Sequence, residues 1–273
     1  MFLTKYSASG NDFLITTAFR SANRANLAQK LCHRHNGIGA DGLVVLLPHN
    51  KFAYRWEFYN ADGSKADMCG NASRCVAHYA YANKIAPKNH SFLSGAGEIK
   101  VRVAGSEVEV NLGEVKILRE NIAESLANNP SLRDSTQRVD SWQSSNPTLN
   151  FTLLDSGVPH LVAFVNDLES HSQNLAPLRH LRNKYNANVN IAFIADKDTI
   201  RLLTYERGVE NITLACGTGM CAVYYLAKSQ NLIGDKATLI PPSGDKIALR
   251  LENNEVCFRG KVIKIADIIV REK

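Results

Sequence analysis

The chain has 273 residues, of which 45% are hydrophobic and 21% are charged. These proportions are ordinary for a soluble globular protein, and they exclude wholesale disorder, a collagen and a coiled-coil rod. The length allows about two domains of 100–200 residues. The longest apolar runs, such as residues 43–47, are far shorter than the ~18–20 residues of a membrane helix. Polar residues interrupt the opening positions before a secretory signal could form, so a reducing cytoplasmic location is expected.

The net charge of +6 is spread along the chain rather than gathered in one segment. The densest basic patch is His33-Arg34-His35, and no run of about five or six like charges indicates a nucleic-acid-binding arm. We therefore expect neither a nucleic-acid partner nor a membrane partner. A slightly basic surface is instead suited to attracting small acidic metabolites.

The first half of the chain predicts short strands around two helices. Apolar and polar residues alternate along residues 53–59, which is the period of a strand. From Gly70 onward the apolar residues recur with a helical period instead. Residues 114–149 are polar and without clear period, so we interpret them as an interdomain connection that includes some helix. The predicted strands lie at residues 2–6, 13–17, 43–47, 53–59, 98–103 and 107–112, and the first predicted helix at roughly 22–32.

The second half repeats the theme of the first. The motif SGNDFLI at Ser9 matches SGVPHLV at Ser156, and Cys69 matches Cys216; positions 9 and 156, and positions 69 and 216, both differ by 147. Two landmarks with one shared offset indicate a duplication. We predict an α+β fold of two pseudo-symmetric domains, each a mixed or antiparallel, barrel-like sheet around a central helix. The predicted elements are strands at 151–154, 161–165, 189–195 and 199–205, a helix at 217–228, and strands at 236–240, 246–251, 255–259 and 261–270.

One motif in the first half imitates a nucleotide site. Residues 37–42 read GIGADG, which satisfies the G-x-G-x-x-G pattern of dinucleotide-binding proteins. That fingerprint requires a strand before it and a helix after it, and here the predicted order is reversed. We interpret the segment as a tight helix-to-strand connection whose glycines supply positive φ, so no nucleotide cofactor is expected.

Two of the six cysteines stand apart from the rest. No CxxC motif is present, and a chain of this size without a secretory signal is not expected to form disulfides. Cys32 and His35 have a ligand-like gap but no matching second pair, so no metal site is expected. Cys69 and Cys216 each precede a glycine at a predicted helix start. The remaining cysteines, interpreted as small buried hydrophobic residues, are Cys32, Cys75, Cys221 and Cys257.

A thiol at a helix start has chemistry that a buried thiol lacks. The first N–H groups of a helix have no partner within it and carry about half a positive charge, which favours a thiolate and can bind a carboxylate. Two such ends gripping one carboxylate would place a sulfur on each face of the neighbouring carbon. This arrangement suits inversion of a stereocentre, with one thiolate as base and one thiol as acid.

The carbanion formed in such an inversion must be stabilised, because the α-hydrogen of an amino acid is a poor acid. One dipole contact contributes only ~0.3–1 kcal/mol. A preorganised donor to a developing oxyanion supplies ~3–4 kcal/mol, and two or three donors reach the ~8 kcal/mol of a millionfold acceleration. The candidate donors are the backbone amides of Gly70, Asn71, Gly217 and Thr218.

At this level of detail the chain resembles the diaminopimelate epimerases. The resemblance covers nearly the whole chain in order, and the two cysteine motifs together make it specific. The wider superfamily includes proline racemase and the phenazine-biosynthesis isomerases, and the NADGS and YERG segments favour the epimerase. The motifs are SGNDF, GIGADGL, FYNADGSKADMCGNASRC, SGVPH, NVN at residues 188–190, and YERGVENITLACGTGMCA.

The resemblance implies a fold, a reaction and a domain division. It implies two similar domains of eight-stranded, barrel-like sheet around a central helix, with the active site between them. The reaction would interconvert L,L- and meso-diaminopimelate without pyridoxal phosphate or metal, in bacterial lysine and cell-wall synthesis. The N-terminal domain would comprise residues 1–113 joined by a final strand at 261–273, and the C-terminal domain residues 114–260.

The resemblance also implies roles for individual residues. Cys69 and Cys216 correspond to the acid/base pair. His160 and Glu206 correspond to residues that contact the substrate amine or adjust thiol ionisation. Because diaminopimelate carries two carboxylates and two ammonium groups, its site should be rich in amides and donors and hold one carboxylate. The expected substrate-binding residues are Asn11, Asn60, Gly70, Asn71, Asn190, Glu206, Arg207, Gly217 and Thr218.

The sequence departs from the family at three places and leaves two alternatives open. Val158 and Gly42 stand where some members have an asparagine and a glutamine, so polar contacts there are lost or moved. Residues 265–267 lack an aromatic residue linked to dimer contacts in relatives, so the resemblance leaves open whether the chain forms a homodimer. One alternative is another racemase or isomerase of the same fold, with a substrate such as proline. The other is a thiol redox or metal-binding protein without turnover.

Overall fold

The structure is a computed structural model that describes residues 1–126 and 148–271. It divides into two units, of which the first comprises Met1–Gly113 with Ser243–Lys273 and the second comprises Glu114–Pro242. The chain therefore rejoins the first unit at residue 243, earlier than the predicted residue 261. No helix within the described residues is long and apolar enough to cross a membrane.

The strands and helices of the described residues are numbered here in chain order. The strands are β1 (Phe2–Ala8), β2 (Asn11–Thr17), β3 (Gly42–Leu47), β4 (Arg55–Asn60), β5 (Asn89–Ser94), β6 (Gly97–Ala104), β7 (Glu107–Glu114), β8 (Lys116–Ser125), β9 (Thr148–Asp155), β10 (Pro159–Phe164), β11 (Asn188–Asp196), β12 (Thr199–Glu206), β13 (Asn211–Ile212), β14 (Lys236–Ile240), β15 (Ile247–Glu252), β16 (Glu255–Lys261) and β17 (Ile263–Ile269). The helices are α1 (Ala25–Cys32), α2 (Gly70–Ala82), α3 (Ala176–Tyr185) and α4 (Gly217–Ser229).

The first unit is a mixed sheet around helix α2. Its strands pair in the order β17, β1, β2, β3, β4, β5, β6, β7, β16, β15. The pairs β2–β3 and β4–β5 are parallel, and helices α1 and α2 supply these two crossovers. Because β16 pairs with β7, and Arg250 on β15 forms an ion pair with Glu109 on β7, residues 243–260 belong to this unit.

Helix α2 is buried on nearly every side because its side chains suit a position inside a curved sheet. Ten of its thirteen residues are buried, most of them small or apolar, as in the run Cys75-Val76-Ala77. The helix packs on β1, β2 and β6. A helix that is apolar around its whole circumference is a core helix rather than a surface helix. The polar exceptions, Asn71, Ser73 and Arg74, lie in its first turns.

The second unit repeats this plan. Its strands pair in the order β8, β9, β10, β11, β12, β14, with β10–β11 and β12–β14 parallel and α3 and α4 as the crossovers. The short β13 also pairs with β12. Helix α4 packs on β9, β10, β11 and β14. The series β1-β2-α1-β3-β4-α2-β5 therefore corresponds to β9-β10-α3-β11-β12-α4-β14, and the predicted α+β fold with two related halves is confirmed.

Several details of the prediction were wrong. Within the described residues the first unit has ten strands and the second has seven, rather than eight in each. Strand β8 occupies part of the segment interpreted as a connection, and residues 127–147 of that segment lie outside the described residues. Its outward-facing residues show no alternation of apolar side chains, which is why the period was missed. Strand β5 and helix α3 were also missed.

Candidate active site

The first candidate centre lies at the start of helix α2. Cys69 precedes the helix in an extended conformation, with φ −151° and ψ 124°, and Gly70 is the first helical residue. The thiol is partly buried. The backbone before it is fixed by Gly95, whose N–H donates to the Asp67 carbonyl at 3.0 Å. A Cβ on Gly95 would lie 2.5 Å from Asp67 Oδ1, so only glycine permits this close approach.

Amide side chains join the helix start to the β1–β2 turn. Asn71 Nδ2 donates to Asn11 Oδ1 at 2.7 Å, and Asn11 Nδ2 donates to Asp41 Oδ2 at 3.0 Å. The other end of the Asn71 amide is also held, because its Oδ1 accepts a hydrogen bond from Arg74 Nη2 at 2.6 Å. The structure therefore brings together two residues that the sequence assigned to the substrate, Asn11 and Asn71.

An ion-pair cluster supports this edge of the first unit. Arg34 donates to both oxygens of Asp12 at 2.7 Å, and Lys5 forms an ion pair with Asp12 at 3.0 Å. Burial alone would raise the pKa of Asp12, but hydrogen bonds from Arg34 and Lys5 outweigh burial and lower the pKa. Asp41, the acceptor for Asn11, also pairs with Arg34. The cluster therefore fixes the position of Asp41, which accepts the hydrogen bond from Asn11.

Asn60 lies at the end of β4 and is used in a tight turn. Its Nδ2 donates to Ser64 Oγ at 3.0 Å, and its carbonyl accepts from Gly63 N at 2.9 Å. Gly63 has φ +83°, which favours glycine. The next residue, Ala61, donates its N–H to the Asp41 carbonyl at 2.9 Å, which ties the turn to the start of β3. Contact of Asn60 with a substrate stays a prediction.

The second candidate centre lies at the start of helix α4. Cys216 precedes the helix with φ −116° and ψ 111°, and Gly217 is its first residue. The cysteine is 7% exposed. Its Sγ lies 3.5 Å from Oγ1 of Thr218, within the limit for a hydrogen bond to sulfur. The prediction that both Cys-Gly pairs open helices is confirmed.

A chain of hydrogen bonds leads from the core of the second unit to Thr218. His160, which is fully buried on β10, has Nε2 3.0 Å from Thr218 Oγ1 and Nδ1 3.0 Å from Asn190 Nδ2. Because Asn190 must donate to Nδ1, the neutral ring carries its proton on Nε2 and donates it to Thr218. Burial lowers the pKa of His160 to about 3, so the ring stays neutral at physiological pH.

The orientation of Asn190 is itself determined by its neighbours. Its Nδ2 also donates to the Leu161 carbonyl at 3.2 Å, and its Oδ1 accepts from Thr204 Oγ1 at 2.9 Å. Asn190 is fully buried, and these contacts occupy its amide. Its surroundings therefore favour a role in orienting His160 over the predicted contact with the substrate.

Asn188 was missed as a separate candidate, although it lies two residues away in the same motif. Its Oδ1 accepts the backbone N–H of Arg207 at 2.8 Å, and its Nδ2 lies 3.4 Å from His160 Nε2. Strand pairing places it opposite the end of β12, which carries Glu206. Asn188 and Asn190 lie two residues apart on β11, so the sequence alone cannot tell which of them has which role. Their hydrogen bonds separate them, because Asn188 holds the Arg207 backbone and Asn190 holds the His160 ring.

Glu206 provides a carboxyl group beside Cys216. Burial raises the pKa of Glu206 above its ordinary value, while hydrogen bonds with Thr213 and Cys216 act in the opposite direction. A carboxyl hydrogen-bonded to a thiol can take up its proton. The structure thus brings together Glu206, Cys216 and, through Thr218, His160.

Arg207 follows Glu206 at the end of the strand. Its Nη1 donates to the Asn186 carbonyl at 3.1 Å, and Asn186 ends helix α3 in a left-handed conformation with φ 48°. The side chain is partly exposed. This position keeps a guanidinium available at the same end of the sheet as Glu206.

Close packing of α4 on this network depends on one glycine. A Cβ on Gly219 would lie 2.5 Å from Asn190 Oδ1 and 3.3 Å from His160 Cε1. The helix can therefore approach the buried imidazole only because position 219 has no side chain. Sequence reasoning missed this requirement, although the GTG segment after Cys216 contains the signal.

The residues present do not favour a metal centre. Among the described residues, the single group close enough to hold an ion is Glu109, Glu252 and Cys257. Arg250 already donates to both carboxylates. Burial raises the pKa of Cys257 to about 11, which keeps it a thiol and a poor ligand. No disulfide joins the six cysteines, all of which the structure describes, and the predicted burial of Cys32, Cys75, Cys221 and Cys257 is confirmed.

The fold matches that of a known class of enzymes. A probable proline racemase from Agrobacterium radiobacter K84 superposes with a TM-score of 0.68 at 13% identity, covering 100% of this chain and 93% of that chain. At this identity the likeness shows the fold alone, which is the racemase and epimerase fold. Within that class, the sequence pattern of the family Diaminopimelate epimerase matches residues 3–118 and 152–265. The chain belongs to the diaminopimelate epimerase family, and it is an isomerase.

Curated relatives agree with this assignment over almost the full length. A diaminopimelate epimerase of Helicobacter pylori (strain HPAG1) is 51% identical over 265 residues, covering 96% of this chain and 93% of that protein. One from a Nitratiruptor species is 46% identical, covering 97% of this chain and 96% of that protein. The resemblance predicted from the motifs is confirmed.

Proposed function

We propose that this chain interconverts L,L- and meso-2,6-diaminopimelate in lysine and peptidoglycan precursor synthesis. The observation that carries the proposal is the pair of Cys-Gly helix starts, one in each half of a duplicated fold, in a chain that is 51% identical to a curated diaminopimelate epimerase. The substrate is a small amino acid, and no nucleic acid takes part.

Cys69 and Cys216 act as the two acid/base residues. A thiolate on one face of the substrate removes the α-proton, which becomes its S–H, and the C–H electron pair passes into the carboxylate-stabilised carbanion. The thiol on the other face then gives its proton to that carbon, which forms the new C–H bond with inverted configuration. The two sulfurs have exchanged protonation states, so the reverse direction uses the same groups with their roles exchanged.

Backbone donors at the helix starts stabilise the charge that develops on the substrate carboxylate. Gly70 and Asn71 begin α2, and Gly217 and Thr218 begin α4. Their N–H groups lie among those without partners inside a helix. A serine, threonine, aspartate or asparagine at the preceding position often occupies such a group with its side chain, and here that position is cysteine in both helices. The donors therefore remain suited to an anion.

The side chains around Cys216 control its proton. Glu206 accepts the thiol proton and returns it, while neutral His160 donates to Thr218, which leaves the threonine hydroxyl hydrogen directed to the sulfur. Asn11, Asn60 and Arg207 bind other polar groups of the substrate, and Asn188 holds the backbone of Arg207.

Exchange of the α-proton tests this proposal directly. Reduced protein is incubated with L,L-diaminopimelate in heavy water without pyridoxal phosphate, and the α-hydrogen signal and the isomer ratio are followed. We expect deuterium uptake together with meso product. The same assay with L-proline tests the sister racemases, and exchange of proline without exchange of diaminopimelate would overturn the proposed substrate. Activity that disappears with a chelator and returns with a metal ion would overturn the metal-free mechanism.

The proposal extends to location and assembly. A reaction that needs two reduced cysteines fits the cytoplasm, and no disulfide joins the six cysteines, all of which lie within the described residues. A homodimer is supported by an apolar stripe on β17, formed by Ile263, Ile265 and Ile269, which are 63%, 51% and 74% exposed. Light scattering should give about twice the chain mass, and Ile265→Lys should shift the protein toward monomer. A monomeric wild-type protein at assay concentration would contradict the dimer.

A further inference from the structure

Arg74 is a buried cation in the second turn of α2, and none of the mechanism above uses it. Its side chain is fully buried. Nη2 donates to Ser9 Oγ at 2.9 Å and to Asn71 Oδ1 at 2.6 Å, and Nη1 donates to the Lys261 carbonyl at 3.2 Å. The guanidinium therefore connects the β1–β2 turn, the helix start and the end of β16.

The surroundings of Arg74 are built to receive it. The guanidinium lies over the ring of Phe258, with its central carbon 4.8 Å from the ring centroid. Gly260 faces it on the same strand, and a Cβ there would collide with Nη1. Ser9, which accepts from Nη2, lies in the two-residue hairpin turn between β1 and β2, where its φ of 52° is the conformation that such turns require.

This cation has no carboxylate partner within ion-pair distance among the described residues. Its Nε is also buried, and no described residue accepts a hydrogen bond from it. Burial lowers the pKa of Arg74, which reflects the cost of a charge removed from water. An isolated buried charge is destabilising, and it persists in proteins when another charge compensates it or when function requires it.

Three ionisable groups interact with the guanidinium, and only one of them suits the role of its anion. Cys75 is fully buried, and burial raises its pKa, so it remains a neutral thiol. Asp245 lies in an exposed loop, where solvent screens its charge. Cys69 is the third group, and it immediately precedes the helix whose second residue, Asn71, is bonded to the guanidinium. Because attraction between two charges is reciprocal, a guanidinium that is stabilised by a Cys69 thiolate also stabilises that thiolate.

We propose that Arg74 is a positioning residue that holds Cys69 in the thiolate form and locks the Asn71 amide toward Asn11. This inference rests on the proposed function, because it assigns the resting base to the first helix start. The second helix start has no such cation at the matching place, since Cys221 stands five residues after Cys216, as Arg74 stands five residues after Cys69.

Alkylation of individual cysteines tests the inference without depending on turnover. Reduced protein is treated with iodoacetamide between pH 5 and 10, and the modification of Cys69 and Cys216 is followed by peptide mass spectrometry. We expect half-maximal Cys69 alkylation well below the value of about 8.5 for a free cysteine. Arg74→Gln should raise this midpoint by about one pH unit and lower the rate at pH 7 by about three- to eightfold, according to the wild-type midpoint. Arg74→Lys, which keeps the charge, should restore most of the shift.

Two controls separate electrostatics from folding. Alkylation of Cys216 in the same Arg74→Gln sample should follow the wild-type profile, which reports an intact second unit. Asp245→Asn, which removes the other charge near the guanidinium, should change the Cys69 rate by less than about twofold, as expected for an exposed group.

The outcomes distinguish this inference from the proposed function. If Arg74→Gln does not fold, the wild-type profile still decides, and a Cys69 midpoint at or above that of a free cysteine overturns the inference. Equal profiles for Arg74→Gln, Arg74→Lys and wild type also overturn it. If the alkylation shift appears but diaminopimelate is not exchanged by the wild-type protein, the role of Arg74 stands and the proposed substrate is wrong.

Discussion

The two helix starts share a backbone plan but differ in nearly every side chain around the sulfur. Both place an extended cysteine before a glycine at the beginning of a central helix. Around Cys69 lie Asn71 and the buried Arg74, whereas around Cys216 lie Thr218 and Glu206. One helix start therefore carries a buried cation bonded to its second residue, and the other carries a carboxyl group and a neutral imidazole.

The repeat offset shows where the two halves diverged. The residue that matches His160 in the first half is Phe13, and both are buried on the second strand of their series. The residue that matches Gly219 is Ala72, which is buried without the need for a close approach to an imidazole. The backbone donors are thus duplicated, while proton affinity is tuned separately in each half. A reaction that needs one base and one acid at a time benefits from this asymmetry.

The largest effect is expected when either sulfur is removed. Cys69→Ala and Cys216→Ala should each lower epimerisation by about 10³-fold, because general acid–base catalysis contributes about 10²–10⁴-fold and each face needs its own group. Steady-state turnover of L,L-diaminopimelate measures the loss. Cys221→Ala is the matched control, since it removes a buried thiol from α4 that the mechanism does not use, and it should keep nearly full activity. Full activity in either variant of the helix-start cysteines would contradict the two-base scheme.

A smaller loss is expected when the carboxyl group beside Cys216 is made neutral. Glu206→Gln should lower turnover by about 10²-fold, because the amide cannot accept the thiol proton. The burial-raised pKa of Glu206 means that its carboxylate forms only above the ordinary range, so wild-type activity should fall on the acid side of that raised pKa. A pH–rate profile of the variant should lack this acid limb. Glu210→Gln, in the loop after Arg207, serves as control and should retain both turnover and the limb.

The same raised pKa predicts a direction for stability. The unfolded chain loses the Glu206 proton near the ordinary pKa, while the folded chain retains it to higher pH. This group therefore favours folding fully below the ordinary pKa, and its contribution is lost as the pH rises through the folded pKa. Urea unfolding of Glu206→Gln against wild type across this range should show the difference, and parallel curves would argue against burial of the carboxyl.

The two halves also show which features of the fold and the site could be predicted from the sequence. The helix starts and the duplication were predictable because a helical period begins directly after each Cys-Gly, and because two landmarks share one offset. Arg74 was missed because arginine is ordinarily a surface residue, and nothing in MCGNASRC says that the strand carrying Phe258 and Gly260 closes over it. Contacts between residues nearly two hundred positions apart are tertiary facts, which local period does not encode.

A moderate effect is expected when the second half is made to resemble the first. His160→Phe introduces the residue found at position 13 and removes the hydrogen bond to Thr218. Turnover should fall about tenfold, less than the ~10²–10⁴-fold contributed by a group that transfers the proton itself, because His160 acts only through Thr218. Stability should fall by about 1–3 kcal/mol, because the buried Asn190 amide loses its acceptor. Thr218→Val, which interrupts the same chain one step later, should lower turnover to a similar extent, and an unchanged rate in both would contradict the relay.

The pH dependence of His160→Phe sharpens this test. The folded pKa of about 3 lies below that of a free histidine, about 6.5, so the unfolded chain takes up a proton that the folded chain refuses. The histidine therefore makes folding progressively less favourable as the pH falls from about 6.5 toward 3. The stability difference between wild type and variant should shrink over that interval in urea unfolding, and a constant difference would mean that the imidazole is not held neutral.

The smallest effect is expected when the matched small residues are exchanged. Gly219→Ala places a Cβ against Asn190 Oδ1 and should lower stability by about 1–3 kcal/mol and turnover a few-fold, because the amide that orients His160 must shift. The reciprocal Ala72→Gly should cost about 1 kcal/mol from helix propensity, with turnover unchanged. Thermal unfolding and turnover of the pair measure both effects. If the two variants behave alike, α4 does not need its close approach to the imidazole, and the difference between the two halves lies in Glu206 and Arg74 alone.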